Sequence, residues 1–374
     1  MTKKPRGFCS TNFLKISLIF LLIIVFQLHD DSHNEELFMD MSELCLKYGF
    51  LLHQHEVTTE DGYILSLFRL EKVAFDRLTT PKLDHKRQIK EEDENLSIEQ
   101  TLDQQQSKKP KPGKPVLFIH GNNQTPENWL LHGINSPAFI LGNEGYDVWL
   151  GANRGCKFSN KHTWLQHQTN ESHADDYWRF SWQEMGQYDL PAFIDKIKQE
   201  NPYHQKIGYI GLSQGVGQAY YAFSGGCTAN KTMQKYFRDN ISVFISLATT
   251  VKFYNVPSVF LRGLSFLATK YEAVKNVFFG MRNLPEEEGF KEKFCHRFTS
   301  ICQLLYYFTC DDAFGLNDYN ALRMIFQKLS GGTSMNSVLH PLQSLSRSLV
   351  MFRSWSRIQP TTLQFSYPSR NLNP

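Results

Sequence analysis

The segment IGYIGLSQGVGQAYYAF, residues 207–223, constrains the fold more than any other part of the chain. An apolar β-type run leads into Gly-Leu-Ser-Gln-Gly, and small helix-compatible residues follow directly. In this G-x-S-x-G arrangement the glycines permit a sharp strand-to-helix turn that exposes the serine above a sheet. The pattern predicts an α/β core in which Ser213 is a nucleophile. The alternative interpretation is a glycine-rich turn in an unrelated α/β domain.

Strand-like and helix-like segments alternate on both sides of this turn. Continuous apolar runs begin near Pro115, Tyr146 and Ile241, with helical patterns between them. Buried parallel strands have such continuous apolar runs because both faces of the sheet are covered. The sequence therefore predicts an α/β fold with a doubly wound, mostly parallel sheet and right-handed crossovers.

The composition divides the chain into six regions. Residues 56–70 carry two β-type runs around Asp61-Gly62, a strong hairpin signal. Residues 79–114 contain no aromatic residue, and the region after 250 has apolar helices without strands. We predict a signal peptide or signal anchor (1–30), an N-terminal segment with a β-hairpin (31–78), a disordered charged insertion (79–114), an α/β core (115–250), a helical cap (251–345) and an irregular tail (346–374).

The N-terminus has the composition of a targeting segment. Lys3, Lys4 and Arg6 precede an apolar run at residues 16–28, as in the first two regions of a secretory signal. As a helix this run would rise about 20 Å, less than the roughly 30 Å of a bilayer core. A cleaved signal is therefore favoured over an uncleaved anchor or a buried helix, and we expect entry into the secretory pathway.

Cysteines and glycosylation triplets agree with this compartment. Of seven cysteines, one lies in the targeting segment, and sequence proximity favours a bridge between Cys295 and Cys302. The alternative is that each cysteine is a small buried hydrophobe. Triplets for N-glycosylation, which also arise by chance, occur at Asn95, Asn123, Asn170, Asn230 and Asn240.

The charge balance argues against nucleic acid as a partner. The formal net charge is +3 over 374 residues, and no basic run is interleaved with aromatic residues. The sequence also predicts neither a metal site nor a cofactor.

A second group of backbone donors is predicted upstream of the serine. His120, Gly121 and Asn122 follow an apolar run, where the loop that completes an oxyanion hole belongs in this kind of fold. We predict that the backbone N–H groups of Asn122 and Gln214 form the hole, each lowering the barrier by roughly 3 kcal/mol. The alternative is an ordinary strand terminus at His120-Gly121.

Taken together, six motifs resemble the acid lipase family of α/β-hydrolases, which includes gastric and lysosomal acid lipases. They are VTTEDGYILSLFRL, FIHGNNQTPENWL, AFILGNEGYDVWLGANRG, WRFSWQEMGQYDLPAFIDKI, YIGLSQG and GGTSMNSVLH, in order over residues 57–340. The resemblance implies that Ser213 is the nucleophile, that Asn122 and Gln214 form the oxyanion hole, and that Cys295 and Cys302 form a cap disulfide.

The same resemblance implies a lipase, a serine ester hydrolase acting on triacylglycerol or sterol esters at a lipid–water interface. Membrane contact through the N-terminal segment or the cap is expected, as is a secreted, lysosomal or membrane-anchored location. One departure is that Asn122 and Asn123 stand where the family commonly has apolar residues, which makes the predicted acyl-binding surface more polar.

A triad acid and histidine are not found in the expected place. In this fold they follow the nucleophile on loops after later strands, but residues 319–374 contain neither Asp nor Glu. His340, Asp311 and Asp312 lie in cap-like segments and are interpreted as cap residues. Losing the histidine lowers turnover by about 10⁶, or about 8 kcal/mol. We therefore expect a C-terminally truncated chain that lacks the last strands and is nearly inactive.

Two other functions stay open at this point. A non-catalytic lipid-binding or scaffold protein derived from a lipase would keep the apolar cap without needing the histidine. Acyl transfer to an acceptor other than water would use the same serine.

Overall fold

A computed structural model describes residues 35–37, 39–73, 111–166, 169, 171–249, 328, 331–334 and 336–337. The predicted targeting segment, most of the charged insertion, the body of the cap and the tail lie outside these residues. So do Cys295, Cys302, Asp311, Asp312 and His340.

The described strands form one mixed sheet in the order β1-β2-β4-β3-β6-β7, with β5 paired to β2. Neighbours among β4, β3, β6 and β7 are parallel, whereas β1, β2 and β5 pair antiparallel. The predicted doubly wound, mostly parallel sheet is confirmed. The strands are β1 Phe50–Thr58, β2 Tyr63–Lys72, β3 Pro115–Ile119, β4 Asp147–Gly151, β5 Lys161–His162, β6 Ile207–Leu212 and β7 Ile241–Leu247.

Helices connect the strands, and several begin at side-chain caps. Asp40 and Ser181 each form a capping box, in which the cap side chain and a glutamate three residues later exchange hydrogen bonds with backbone N–H groups. The helices are α1 Met41–Lys47, α2 Pro137–Asn143, α3 Glu171–Tyr177, α4 Trp182–Glu184, α5 Leu190–Glu200, α6 Gln214–Phe223 and α7 Lys231–Asn240. A π turn, Met185–Asp189, joins α4 to α5, and 3-10 turns lie at Glu35–Leu37, Pro126–Trp129, Gly133–Asn135 and Gly226–Thr228.

The hairpin of β1 and β2 is longer than the residues 56–70 predicted from the sequence. Its turn contains Asp61 and Gly62, and the last paired residues before it are Thr58 and Ile64. Gly62 has a φ of 96°, a conformation that favours glycine. The Asp61 side chain therefore projects from a fixed turn, where a buried arginine binds it.

The core lies on both faces of the sheet because side chains alternate along each buried strand. Val116 and Phe118 of β3 pack into a cluster with α1 and α2, whereas Leu117 and Ile119 pack into a second cluster with α5, α6 and α7. Burying a side chain of this size contributes about 1.5–3 kcal/mol. Both faces are thus closed, and the carboxyl ends of β3, β4 and β6 meet at one edge.

Candidate active site

Ser213 stands at a sharp turn between β6 and α6. Its φ of 51° and ψ of −108° lie in a region that costs a non-glycine residue about 1–3 kcal/mol. The Ser213 N–H donates to Leu247 O at 2.9 Å, and its carbonyl accepts from Val216 N at 2.9 Å and Gly217 N at 3.1 Å. The strained serine is therefore held by β7 on one side and by the first turn of α6 on the other.

The two glycines of the motif are required by contacts between backbones. A Cβ on Gly211 would lie 2.8 Å from Gly215 O, and a Cβ on Gly215 would lie 2.7 Å from Ile119 O. Since backbone atoms have little freedom to move away, no side chain fits at either position. The turn thus packs directly against the end of β3, which brings the following loop to the serine.

We call residues 120–125, which follow β3, the donor loop. A Cβ on Gly121 would lie 3.3 Å from Ser213 Cβ, so the loop adjoins the serine. The Gly121 N–H is engaged within the loop, where it donates to Gln124 Oε1 at 2.9 Å, and Gln124 N donates to Gly121 O at 3.3 Å. The next amide along the chain belongs to Asn122, which is the residue predicted from the sequence.

The other predicted donor, Gln214, is the first residue of α6. Its side chain is 4% exposed, and Nε2 donates to Met185 Sδ at 3.1 Å. The structure thus brings Ser213, Gln214 and the donor loop to one edge of the sheet. Backbone N–H groups at the start of a helix favour negative charge, so an anionic oxygen suits this edge.

The neutral side chain of His120 supports the donor loop. Its Nε2 accepts from Asn153 N at 3.1 Å, which places the proton on Nδ1, and Nδ1 donates to Gly121 O at 2.9 Å. Burial lowers the pKa of His120 to about 4. Both ring nitrogens are used, so His120 serves as a structural support for Gly121.

A buried pair of amides lies behind the serine turn. Asn153 Nδ2 donates to Gln218 Oε1 at 2.9 Å, and Gln218 Nε2 donates to Asn153 Oδ1 at 3.1 Å. The pair joins the loop after β4 to α6 and satisfies both amides away from water. Sequence analysis missed it, although a glutamine within the small-residue helix after Ser213 was the available signal.

Arg154 is the centre of a buried charge cluster that the sequence analysis also missed. Its side chain is 1% exposed, and its guanidinium contacts Asp189 at 2.7 Å and Asp61 at 2.6 Å. The guanidinium also lies 4.0 Å from the ring centre of Tyr63. Burial raises the pKa of Asp189 to about 6, while Arg154 acts in the opposite direction. The cluster ties the hairpin turn and the π turn to the loop after β4.

Other kinds of site receive no support from the described part of the chain. No group of three His, Cys, Asp or Glu side chains is arranged there to hold a metal. Within the same ranges, none of the helices combines the length and apolar character needed to cross a membrane.

Comparison with known proteins places the chain in a family. Residues 41–133 match the model of a partial alpha/beta-hydrolase lipase region, and residues 114–261 match the model of the alpha/beta hydrolase fold. Lipase member K of Mus musculus is 30% identical over 344 residues, which cover 89% of this chain and 73% of that protein. Lysosomal acid lipase/cholesteryl ester hydrolase of Macaca fascicularis is 28% identical over 90% of this chain and 74% of that protein.

Another relative matches over a shorter length. Gastric triacylglycerol lipase of Rattus norvegicus is 33% identical over 240 residues, which cover 63% of this chain and 49% of that protein. A solved esterase of Pyrococcus furiosus is 18% identical with a TM-score of 0.30, covering 63% of this chain and 62% of that one, a likeness that adds no weight. On the strength of the sequence matches, the chain belongs to the acid lipase family of α/β-hydrolases.

Proposed function

We propose that this protein hydrolyses carboxylic esters of neutral lipids through Ser213. The supporting observation is the strained turn at Ser213, which directly adjoins both the donor loop and the first amide of α6. A non-glycine residue persists at such a φ and ψ only where its surroundings enforce it, and such residues cluster at functional sites. Relatives of the chain are named as gastric and lysosomal lipases.

The reaction would proceed in two steps. The Ser213 oxygen attacks the acyl carbonyl as its proton passes to a base, and the N–H groups of Asn122 and Gln214 stabilise the oxyanion. The alcohol then leaves, and water attacks the acyl-enzyme to release the fatty acid. We propose triacylglycerol or sterol ester at a lipid–water interface as the substrate class, and the secretory pathway as the location.

The mechanism also requires a base that accepts the Ser213 proton. His120 does not act as this base, because both of its ring nitrogens are already hydrogen-bonded, one to Gly121 O and the other to Asn153 N. The sequence after Ser213 contains two histidines, His296 and His340, and both lie outside the described residues. We propose that turnover by this chain is slow and that solvent water accepts the Ser213 proton.

The experiment is hydrolysis of 4-nitrophenyl butyrate, whose activated leaving group makes a low rate measurable. We expect Ser213→Ala to reduce the rate to that of buffer. Ser224→Ala is the matched control, since its hydroxyl donates to Tyr221 O at 2.9 Å at the far end of the same helix. Equal rates for the unmodified chain and Ser213→Ala would show that Ser213 is not the nucleophile.

A second candidate is a non-catalytic lipid-binding protein derived from a lipase. Vesicles or emulsions of triolein and of cholesteryl oleate distinguish the two candidates. Binding without fatty acid release above the Ser213→Ala background would favour the second.

A further inference from the structure

Asn123 holds an unusual backbone conformation in the middle of the donor loop. Its φ is 55°, in the left-handed region that non-glycine residues occupy in only a few per cent of cases, with asparagine enriched among them. The turn at Asn123 allows Gln124 to fold back, so that its side chain accepts from the Gly121 N–H. The conformation of Asn123 thus sets the shape of the loop that adjoins Ser213.

Two consecutive glycines from a distant part of the chain donate hydrogen bonds to Asn123. The Asn123 carbonyl accepts from Gly331 N at 3.3 Å, and Asn123 Oδ1 accepts from Gly332 N at 3.2 Å. Gly331 is in direct backbone contact with the donor loop, and Gly332 with the loop after β4. A Cβ on Gly331 would lie 2.1 Å from Gln124 O, and a Cβ on Gly332 would lie 2.4 Å from Gly155 O.

The segment that carries these glycines is fixed independently of Asn123. Lys157 N donates to Gly331 O at 2.6 Å, and the Ser334 hydroxyl donates to Phe180 O. Residues 331–334 therefore lie on the loop after β4 and present two N–H groups to the donor loop. Lys157 and Phe180 lie outside the donor loop, so residues 331–334 can hold Asn123 in place.

A buried group of charged side chains also joins the end of the donor loop to the segment that carries the two glycines. Glu127, just after the donor loop, lies 2.6 Å from Lys157 Nζ and 3.6 Å from Lys328 Nζ. Thr125 Oγ1 also donates to Glu127 Oε2 at 3.0 Å. Glu127 and Lys328 are both less than 10% exposed, so breaking this contact would leave charges away from water.

We infer that Asn123 is a positioning residue, which holds the Asn122 amide at the nucleophile through its hydrogen bonds to Gly331 and Gly332. A segment near the end of the predicted cap would then help to position the oxyanion loop, although it lies more than 200 positions away in sequence. This inference rests on the proposed function, since it assigns the Asn122 amide to the oxyanion. Asn123 itself contacts no reacting atom.

The test measures binding of butylboronic acid, because boron takes the serine oxygen as a fourth ligand and becomes anionic without turnover. The serine proton leaves to solvent, and a boron-bound oxygen occupies the hole. We expect Asn123→Ala to weaken boronate binding at least tenfold, and to lower kcat on 4-nitrophenyl butyrate at little-changed KM. Asn123→Asp keeps the side-chain acceptor and should restore both values to within about threefold.

Asn230→Ala is the matched control, since Asn230 Oδ1, like Asn123 Oδ1, accepts hydrogen bonds from backbone N–H groups, in this case at the start of α7. We expect it to lower the melting temperature without changing boronate affinity. Unchanged affinity in Asn123→Ala, or an Asn123→Asp variant as weak as Asn123→Ala, would overturn the inference. Boronate binding that survives Ser213→Ala would instead overturn the nucleophile assignment, and an unmodified chain that binds no boronate would overturn both.

Discussion

The neutral state of His120 predicts a specific pH dependence of stability. The ring is buried, accepts from Asn153 N and donates to Gly121 O. Protonating it would replace the accepting lone pair with a second N–H that faces the Asn153 donor. Replacing His120 with glutamine removes the titrating group and keeps a polar atom near the former Nε2 position.

The magnitude follows from the difference between folded and unfolded pKa values. Burial lowers the pKa of His120 to about 4, whereas an unfolded chain has the ordinary value of 6.5. Between these values the unfolded chain binds one proton more than the folded chain, so stability falls as the pH falls. This difference corresponds to about 3 kcal/mol of folding free energy, present above pH 6.5 and lost by about pH 4.

Urea unfolding followed by tryptophan fluorescence at pH 7 and pH 4.5 measures this contribution. At pH 7 we expect His120→Gln to be about 1–3 kcal/mol less stable, because Gly121 O loses its donor. At pH 4.5 the deficit should vanish or reverse, since only the unmodified chain has lost the histidine contribution. His53→Gln is the control, because that ring is on the surface beside Glu71. Parallel pH dependences for His120→Gln and the unmodified chain would refute the reasoning.

Two further predictions concern the close packing at Gly215 and the buried charge of Arg154. Gly215→Ala would place a methyl group about 2.7 Å from Ile119 O, so we expect a loss of about 1–3 kcal/mol in urea unfolding together with slower ester hydrolysis. A variant with unchanged stability would contradict the packing argument. Arg154→Met should destabilise the fold by about 3–5 kcal/mol because Asp189 is fully buried, whereas Asp61→Asn should cost less than about 2 kcal/mol because its side chain is 26% exposed. Equal losses in the two variants would refute this explanation.

The sheet and the serine turn were predictable because their signals are local. The run before Ser213 is continuously apolar, which is typical of a strand covered on both faces, and the adjacent glycines mark the turn. The apolar run that begins near Tyr146 forms a strand from Asp147 to Gly151. The backbone leaves the sheet there because the next residues turn inward, where Asn153 and Arg154 bind groups behind the serine.

The supporting contacts were not predictable because they join distant residues. Arg154 is 93 positions from Asp61 and 35 from Asp189, and Asn153 is 65 positions from Gln218. A polar residue that binds across such a distance looks the same in sequence as one that faces water. Only the packing of the strands, which brings the ends of β3, β4 and β6 to one edge, reveals the partners.

These contacts explain how a serine turn of low intrinsic stability persists. The donor loop is held by His120 through Gly121 O, by Gln124 through the Gly121 N–H, and by Gly331 and Gly332 through Asn123. Two of these supports come from within the loop and the third comes from Gly331 and Gly332, and all three act on one loop, so their loss should not be additive. Once one support is removed and the loop shifts, removing a second support should cause a smaller further loss of stability and activity. Under the proposed mechanism, activity at Ser213 would depend on residues that do not contact the substrate, and we expect a substitution at one of them to lower activity while leaving the serine turn itself unaltered.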